Sequence, residues 1–169
     1  MRKLLLFISL LIYVAQTVVE AQSEPEQWFD FWIGKWQVSW EQADGKMGGG
    51  TNTIEKILDD KVIQEHFVAT EGNMAGFKGT SISVYSARGG SWHQAWADNQ
   101  GGYFDFIGEK DGARRIFKTK VRKVEDKEIV QRMVFYDIGP DRFTWDWELS
   151  EDGGASWKLS WRIFYQRMK

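Results

Sequence analysis

The chain has no cysteine among its 169 residues, and it has only two prolines and two histidines. The lack of cysteine excludes disulfide bonds and argues against a lipid-anchored precursor, so burial must stabilise the folded state. A domain of roughly 150 residues can bury about two-thirds of its unfolded surface, which is enough for a core without covalent cross-links. Few prolines and seventeen glycines indicate many turns and few long helices.

A strong charge of either sign is also absent. The formal net charge is −2, and it becomes −3 if Arg2, Lys3 and Glu20 are removed with a targeting segment. An acidic balance this mild does not indicate an acidic substrate, and we expect no nucleic acid to bind. Aromatic residues, in contrast, are abundant: they make up 15% of the chain and include ten tryptophans.

The first 21 residues have the pattern of a signal peptide. Basic residues at positions 2 and 3 precede an apolar run over 4–15, and residues suited to cleavage end at Ala21. The apolar run is about a dozen residues long, which is short of the ~20 needed to span a membrane. The sequence therefore predicts a signal peptide over 1–21 and one mature domain over 22–169, with no transmembrane segment and a periplasmic or secreted location.

The rest of the chain predicts an all-β fold of about ten antiparallel strands. Short runs of alternating polarity are separated by turn signals such as Asp59-Asp60 and Arg88-Gly89-Gly90. The connections are too short for the crossover helices that parallel strands require. Strands with one apolar and one polar face, and no protected sheet edge, favour closure into a meander barrel. About ten strands should enclose a cavity unless aromatic side chains fill it.

The run WFDFWIGKWQVSW, with four tryptophans at intervals of four, belongs to two elements. The capping pattern Ser23-Glu24-Pro25-Glu26 predicts a short N-terminal helix over 24–32. Gly34 ends this helix, and the alternation of KWQVSWEQ then predicts the first strand. A second glycine cluster, Gly48-Gly49-Gly50, precedes no helix and is interpreted as a flexible loop rather than a phosphate loop.

Two sets of residues resemble known families. Gly34-x-Trp36, partnered by Arg162 in the last strand, resembles the signature of the lipocalin and calycin superfamily. FDFWIGKWQVSW, the strand from 79 to 85 and Trp92-x-Gln94-x-Trp96-x-Asp98-x-x-Gly101, in that order, resemble a family of exported bacterial proteins classed as a domain of unknown function.

This resemblance covers nearly the whole mature chain, and the sequence is also similar to the fatty-acid-binding proteins and the nitrobindins. It implies a lipocalin-like barrel and an exported protein. The lipocalin and calycin resemblance also implies that Trp36 closes one barrel end and that Arg162 packs across it by a cation–π contact.

The hairpin SEDGGASW, over 150–157, resembles the Asp-box that sialidases repeat. We interpret a single copy as structural: Asp152 should bond backbone amides in the turn, and Trp157 should pack beneath it.

The nitrobindin resemblance implies a haem held by a barrel histidine. His93 alternates out of phase with its apolar neighbours, which predicts a solvent-facing side chain, and the face of His66 is left open. Neither histidine has a second ligand at metal spacing. We therefore expect no cofactor and no metal, with a haem-binding barrel as an alternative.

Two carboxyl groups, those of Glu65 and Asp98, sit among apolar neighbours on strands expected to face inward. A buried carboxylate is costly unless it is paired, so each should serve a ligand or an internal cation. The structural alternative is an ion pair or, for Asp98, a turn cap near the barrel mouth. A small enzyme, an isomerase or hydrolase with one of them as general base, is a second hypothesis. An envelope interaction protein with a filled barrel is a third.

The function that we favour is non-enzymatic binding of a small hydrophobic or amphiphilic molecule inside the barrel, with the ligand's polar head outward at Asp98. Aromatic residues should form the walls, the two carboxyl groups should fix a polar end, and Gln94 should hydrogen-bond. The predicted lining residues are Trp40, Glu65, Phe67, Gln94, Trp96, Asp98, Trp145, Trp147 and Tyr165.

The signal-peptide pattern predicts that the native protein begins at Gln22 and lies outside the cytoplasm. N-terminal sequencing of protein from its own cells checks this, and a retained Met1 or Arg2 would contradict it.

Overall fold

Ten antiparallel strands close into one β-barrel, and a short eleventh strand extends its wall. The computed structural model describes residues 24–169, so the predicted signal peptide and Ser23 lie outside the described residues. The strands are β1 Gly34–Glu41, β2 Met47–Ile57, β3 Val62–Glu71, β4 Lys78–Ser86, β5 Ser91–Asp98, β6 Tyr103–Asp111, β7 Arg114–Lys118, β8 Arg122–Val124, β9 Lys127–Tyr136, β10 Arg142–Ser150 and β11 Lys158–Arg167. Within 24–169, no helix is long and apolar enough to cross a membrane.

The strands follow one another around the barrel, and β1 closes it by pairing with β11. Along β1 the side chains of Trp36, Val38 and Trp40 are buried, while Lys35 and Gln37 are exposed. This alternation is the reason that one sequence face becomes the barrel interior. The predicted all-β fold, an antiparallel meander barrel of about ten strands, is confirmed.

The segment between the β6–β7 turn and β9 forms two strands, β7 and β8, rather than one. Strand β7 pairs with both β6 and β9, but after Lys118 the chain leaves β6, and β8 pairs with β9. Strand β6 pairs with β7 only from Ile107 onwards, although its pairing with β5 begins at Tyr103. The barrel wall therefore has a gap beside the first four residues of β6.

The predicted helix over 24–32 is present only as two 3-10 turns, Pro25–Gln27 and Asp30–Trp32. Glu24 occupies the N-cap position of the first turn without a side-chain capping hydrogen bond. A third such turn, Gly72–Met74, follows β3. The irregular N-terminal segment lets Phe29 and Trp32, both almost fully buried, reach into the barrel end.

This segment closes one end of the barrel with aromatic rings. The ring of Phe29 stacks on that of Phe117 with centroids 4.2 Å apart and contacts the Trp92 indole at 5.2 Å. The indole Nε1 of Trp92 donates a 2.7 Å hydrogen bond to the carbonyl oxygen of Pro25. These contacts fix the segment to β5 and β7, so this end of the barrel is filled.

The three glycines over 48–50 lie within β2, so their interpretation as a flexible loop is wrong. A Cβ atom at Gly48 would lie 2.3 Å from Nε1 of Trp40, whose indole lies directly against the glycine backbone. Glycine is needed there because a strand residue with a side chain would displace the indole.

Arg167, rather than Arg162, packs across Trp36, so the predicted Trp36–Arg162 contact is wrong. The guanidinium of Arg167 lies 4.1 Å from the centre of the Trp36 ring. It also donates to the carbonyl oxygens of Ile33, at 2.9 Å, and Pro140, at 2.7 Å. The reason is parity: residues 163, 165 and 167 share the inward phase of β11, whereas Arg162 points outward and forms a bidentate pair with Asp146.

The position of Arg167 also explains the glycine of the Gly34-x-Trp36 motif. Gly34 has φ +138°, and a Cβ atom there would lie 2.2 Å from Nη1 of Arg167. Only glycine combines this backbone conformation with room for the guanidinium.

A double-mutant cycle tests the contact between Trp36 and Arg167. Trp36→Ala should lower the free energy of unfolding by about 3–5 kcal/mol, as for other buried aromatic truncations. Combined with Arg167→Ala, the losses should fall short of additivity by about 0.5–2 kcal/mol, because the second change removes a contact that is already lost. The matched control is Arg162→Ala, whose loss should add to that of Trp36→Ala. Additive losses for Arg167 in denaturant unfolding would contradict the contact.

Candidate ligand-binding cavity

A cavity of about 250 Å³ lies inside the barrel, toward the end opposite the N-terminal segment. Its lining is almost entirely aromatic or aliphatic and includes two carboxyl groups. The lining residues are Glu65, Phe67, Met74, Phe77, Trp96, Asp98, Phe104, Phe106, Met133, Trp145, Trp147, Trp161, Ile163 and Tyr165. The volume is slightly below the ~300–1,000 Å³ of pockets for drug-sized molecules, so the cavity suits a smaller one.

The aromatic walls are held in place by contacts between the rings. The Trp145 and Trp147 indoles are nearly parallel, with centroids 6.4 Å apart, and Trp161 meets Trp145 edge-on at 5.9 Å. Opposite them, the Phe77 ring stacks on Trp96 with a centroid separation of 6.4 Å. Such pairs hold each ring in a fixed orientation, so the walls exist before any ligand binds.

The carboxyl group of Glu65 is the deepest polar group in the lining. The residue lies in the middle of β3 and is only 5% exposed. Its Oε1 accepts a 2.7 Å hydrogen bond from Nδ2 of Asn52, and its Oε2 accepts one of 2.7 Å from the Ser81 hydroxyl. Burial, partly offset by the bonds from Ser81 and Asn52, raises the pKa of Glu65 to about 7. The group therefore changes charge near neutral pH.

The phenol of Tyr165 shares this polar end. Nδ2 of Asn52 also donates a 3.0 Å hydrogen bond to the Tyr165 oxygen, so one amide holds both lining groups. Burial, together with the nearby charge of Glu65, raises the pKa of Tyr165 well above its ordinary value. The phenol therefore stays protonated and keeps its own hydrogen to donate.

Asp98, the last residue of β5, lies at the cavity mouth and caps the following turn. Its Oδ1 accepts hydrogen bonds from the backbone nitrogens of Gln100, at 2.9 Å, and Gly102, at 2.8 Å. Its Oδ2 accepts one of 3.2 Å from Nε1 of Trp96. Burial raises the pKa of Asp98, but the bonds from Gly102, Trp96 and Gln100 outweigh it, and the net pKa is lowered. The carboxylate of Asp98 therefore caps the turn, which is the structural alternative that the sequence left open. It also lies at the cavity mouth.

Seven of the nine residues predicted from the sequence lie in the cavity wall, and two do not. The seven are Glu65, Phe67, Trp96, Asp98, Trp145, Trp147 and Tyr165. Trp40 instead packs against the Trp161 ring with centroids 5.3 Å apart. The amide of Gln94 is buried, and its Nε2 donates to the Ser83 hydroxyl at 2.9 Å. Both side chains are engaged in packing beside the cavity rather than lining it.

The lining residues that sequence reasoning missed are Met74, Phe77, Phe104, Phe106, Met133, Trp161 and Ile163. Two of them could have been found by phase, because Trp161 and Ile163 alternate with the predicted Tyr165. Met74 and Phe77 belong to the connection between β3 and β4, where no periodicity exists to place them.

Neither histidine faces the cavity. His66 lies between inward-facing Glu65 and Phe67 and is exposed on the outer barrel surface. His93 is also exposed, as predicted, and its ring nitrogen lies 3.1 Å from the Ser91 hydroxyl. The geometry therefore offers no imidazole to a haem inside the barrel.

A groove of about 890 Å³ runs along the outside of the barrel beside the gap in the wall. It is bounded by β5, β6 and the segment 119–122. Phe104 and Phe106 line both this groove and the inner cavity. Two phenylalanine rings therefore separate the cavity from the side of the barrel.

The hairpin between β10 and β11 has the predicted Asp-box geometry. The carboxylate of Asp152 accepts hydrogen bonds from the Ser156 backbone nitrogen, at 2.9 Å, and from the Ser150 hydroxyl, at 2.6 Å. The Trp157 ring packs beneath the turn and lies 3.8 Å from the Arg132 guanidinium. The hydrogen bonds from Ser150 and Ser156 hold the pKa of Asp152 well below its ordinary value. All of this is outside the cavity and is structural.

Compared with protein-family models and with curated proteins, the chain matches none. The barrel and its cavity are compatible with a lipocalin-like ligand-binding protein, and the fold is what the structure establishes.

Glu65→Gln tests the ionisation of the buried carboxyl group. In the wild type, the pKa is raised from 4.5 to about 7 on folding. The unfolded state therefore loses its proton first as pH rises, and stability falls between these values by roughly 3 kcal/mol. The glutamine variant should not lose stability over this pH range, so it should be more stable than the wild type at about pH 8. Denaturant unfolding across pH measures the difference. The control is Glu55→Gln on the outer surface of β2, which should keep the wild-type slope. An unchanged slope for Glu65→Gln would show that folding does not raise the pKa of Glu65.

Asp98→Asn tests the turn cap. Asparagine keeps an oxygen that can accept both backbone hydrogen bonds, but its amide nitrogen replaces Oδ2 and cannot accept the bond from Nε1 of Trp96. The negative charge at the turn is lost as well, so unfolding stability should fall by ~0.5–2 kcal/mol. The pKa of Asp98 is lowered on folding, so the wild-type advantage should be present above the ordinary pKa and shrink as pH falls below it. Unfolding at neutral and acidic pH measures both effects, and a variant as stable as wild type at neutral pH would show that neither the charge of Asp98 nor its bond from Trp96 stabilises the turn.

Proposed function

We propose that the protein is an exported carrier that binds one small hydrophobic or amphiphilic molecule inside its barrel. The observation that supports this most directly is the cavity itself, with preformed tryptophan and phenylalanine walls and a polar group at its deep end. Clefts of this composition recognise apolar molecules by burial and orient them by a few hydrogen bonds. The signal-peptide pattern over 1–21 supports export and a periplasmic or secreted location.

The division of the barrel into two ends supports the same role. The N-terminal aromatic rings fill one end, which leaves the barrel rigid without the ligand. The other end is bordered by short connections and by the 3-10 turn Gly72–Met74, which supplies Met74 to the lining. A ligand can therefore bind without disturbing the packed core.

A matched pair of variants tests binding inside the cavity. Ile163→Phe adds volume to a lining residue, whereas Leu159→Phe makes the same kind of change at a half-exposed position of the same strand. Wild type and Leu159→Phe should bind the neutral probe 2-phenylethanol, followed by tryptophan fluorescence. Ile163→Phe should bind it at least about tenfold more weakly, because the probe and the new ring compete for one space.

Equal binding by all three proteins would place the probe elsewhere, and no binding by wild type would contradict a preformed site. Native mass spectrometry of protein purified from its own cells, with the bound mass identified, names the natural ligand.

A second candidate function, general-base catalysis, is favoured by one observation. Glu65 has a pKa raised to about 7 and lies in a cavity, the environment expected of a catalytic carboxylate. Asp98 is less suited, since its pKa is lowered by the turn hydrogen bonds. Ligand recovered from protein incubated in D₂O distinguishes the roles. An isomerase-type base would introduce deuterium with wild type and not with Glu65→Gln, whereas a carrier would introduce none with either.

A further inference from the structure

The charges that face the cavity are all of one sign. Among the lining residues in the described part of the chain, Glu65 and Asp98 are acidic, and no lysine, arginine or histidine is present. An anionic ligand, such as a fatty-acid carboxylate, would meet two acidic groups and no counter-charge. Electrostatic complementarity therefore favours a ligand with a positive group.

A comparison with the other buried carboxylate sharpens this point. The Asp146 side chain is 6% exposed, and the protein pairs it with Arg162 through two hydrogen bonds of 2.7 Å. Glu65 is buried as deeply, yet the hydrogen-bond donors at its two oxygens are the neutral groups of Asn52 and Ser81. Each carboxylate oxygen has a second lone pair, so both oxygens of Glu65 can accept one further hydrogen bond.

Besides the carboxyl group of Glu65, the aromatic walls attract an ammonium group. Trp145, Trp147 and Trp161 present their rings to the cavity that Glu65 lines. A cation within about 6 Å of an indole face is attracted by the ring quadrupole, and the attraction strengthens where water is excluded. The same rings also cover an apolar body by burial.

Building on the proposed binding function, we propose that the ligand is a small organic amine, bound as an ammonium ion. Its charged group pairs with Glu65 at the deep end, and its apolar body lies against the tryptophan walls. This orientation is the reverse of the head-outward one predicted from the sequence, because Asp98 directs its oxygens into the turn. A cation at this position would also hold Glu65 ionised, since its pKa lies close to neutrality.

Three probes of similar size and different charge test the proposal: 2-phenylethylamine, 2-phenylethanol and phenylacetate. Calorimetric titrations at about pH 8 and low salt keep the amine protonated and Glu65 ionised. The amine should bind at least about tenfold more tightly than the alcohol, and phenylacetate should bind most weakly. Glu65→Gln should weaken amine binding by roughly 10–100-fold, because a charged hydrogen-bond partner is lost, and should weaken alcohol binding much less, because the alcohol has no charge to pair.

The control variant Glu55→Gln removes the same charge from the outer surface and should leave all three affinities as in wild type. Circular dichroism and unfolding at the same pH verify that Glu65→Gln is folded. If the alcohol or phenylacetate binds as tightly as the amine, or if Glu65→Gln keeps the amine preference, the amine proposal is overturned while cavity binding stands. If none of the three probes binds wild type, both proposals fail.

Discussion

The guanidinium of Arg167 is the contact on which the closed end of the barrel depends. It joins the Trp36 ring and the carbonyl of Ile33, which are close in sequence, to the carbonyl of Pro140, which is far from both. The group stays hydrogen-bonded and stacked, so its partial burial does not leave an unpaired charge. Because this end is fixed, the aromatic segment from Phe29 to Trp32 packs against a rigid surface. The packed end stabilises the barrel, so the opposite end can contain a cavity.

The hollow end shows how a small protein combines an apolar cavity with a buried carboxyl group. The rings of the wall pack on one another, so little reorganisation is needed when a molecule binds. The energetic cost of this cavity is the burial of Glu65 without a neighbouring cation, which disfavours the charged form of its carboxyl group. Asn52 and Ser81 reduce that cost without removing it. A positively charged group would therefore be favoured inside the cavity.

The sequence predicts the fold well because the barrel follows from strand alternation, and most of the wall follows from the same parity. The residues that the sequence does not place correctly lie where the alternation of inward and outward side chains stops or is not applied. The family pattern points to Arg162, which has the outward phase of β11, whereas parity with Tyr165 points to Arg167. Met74 and Phe77 lie in a connection, and Gly48 depends on the indole of Trp40, its partner on the neighbouring strand. The charge state of Glu65 depends on its neighbours from β2 and β4, which one strand cannot reveal.

The pairing of β1 with β11 has a consequence for how the chain folds. Trp36 lies opposite Arg167, so the seam of the barrel joins residues separated by nearly the whole described chain. Closing such a seam carries a large loop entropy, which places this protein among slow, high-contact-order folders. Until β11 has docked, the free edges of β1 and β10 remain open to pairing with other chains. A growing chain would therefore stay vulnerable to aggregation until its last strand is available, which would give a chaperone that shields β1 a defined interval in which to act.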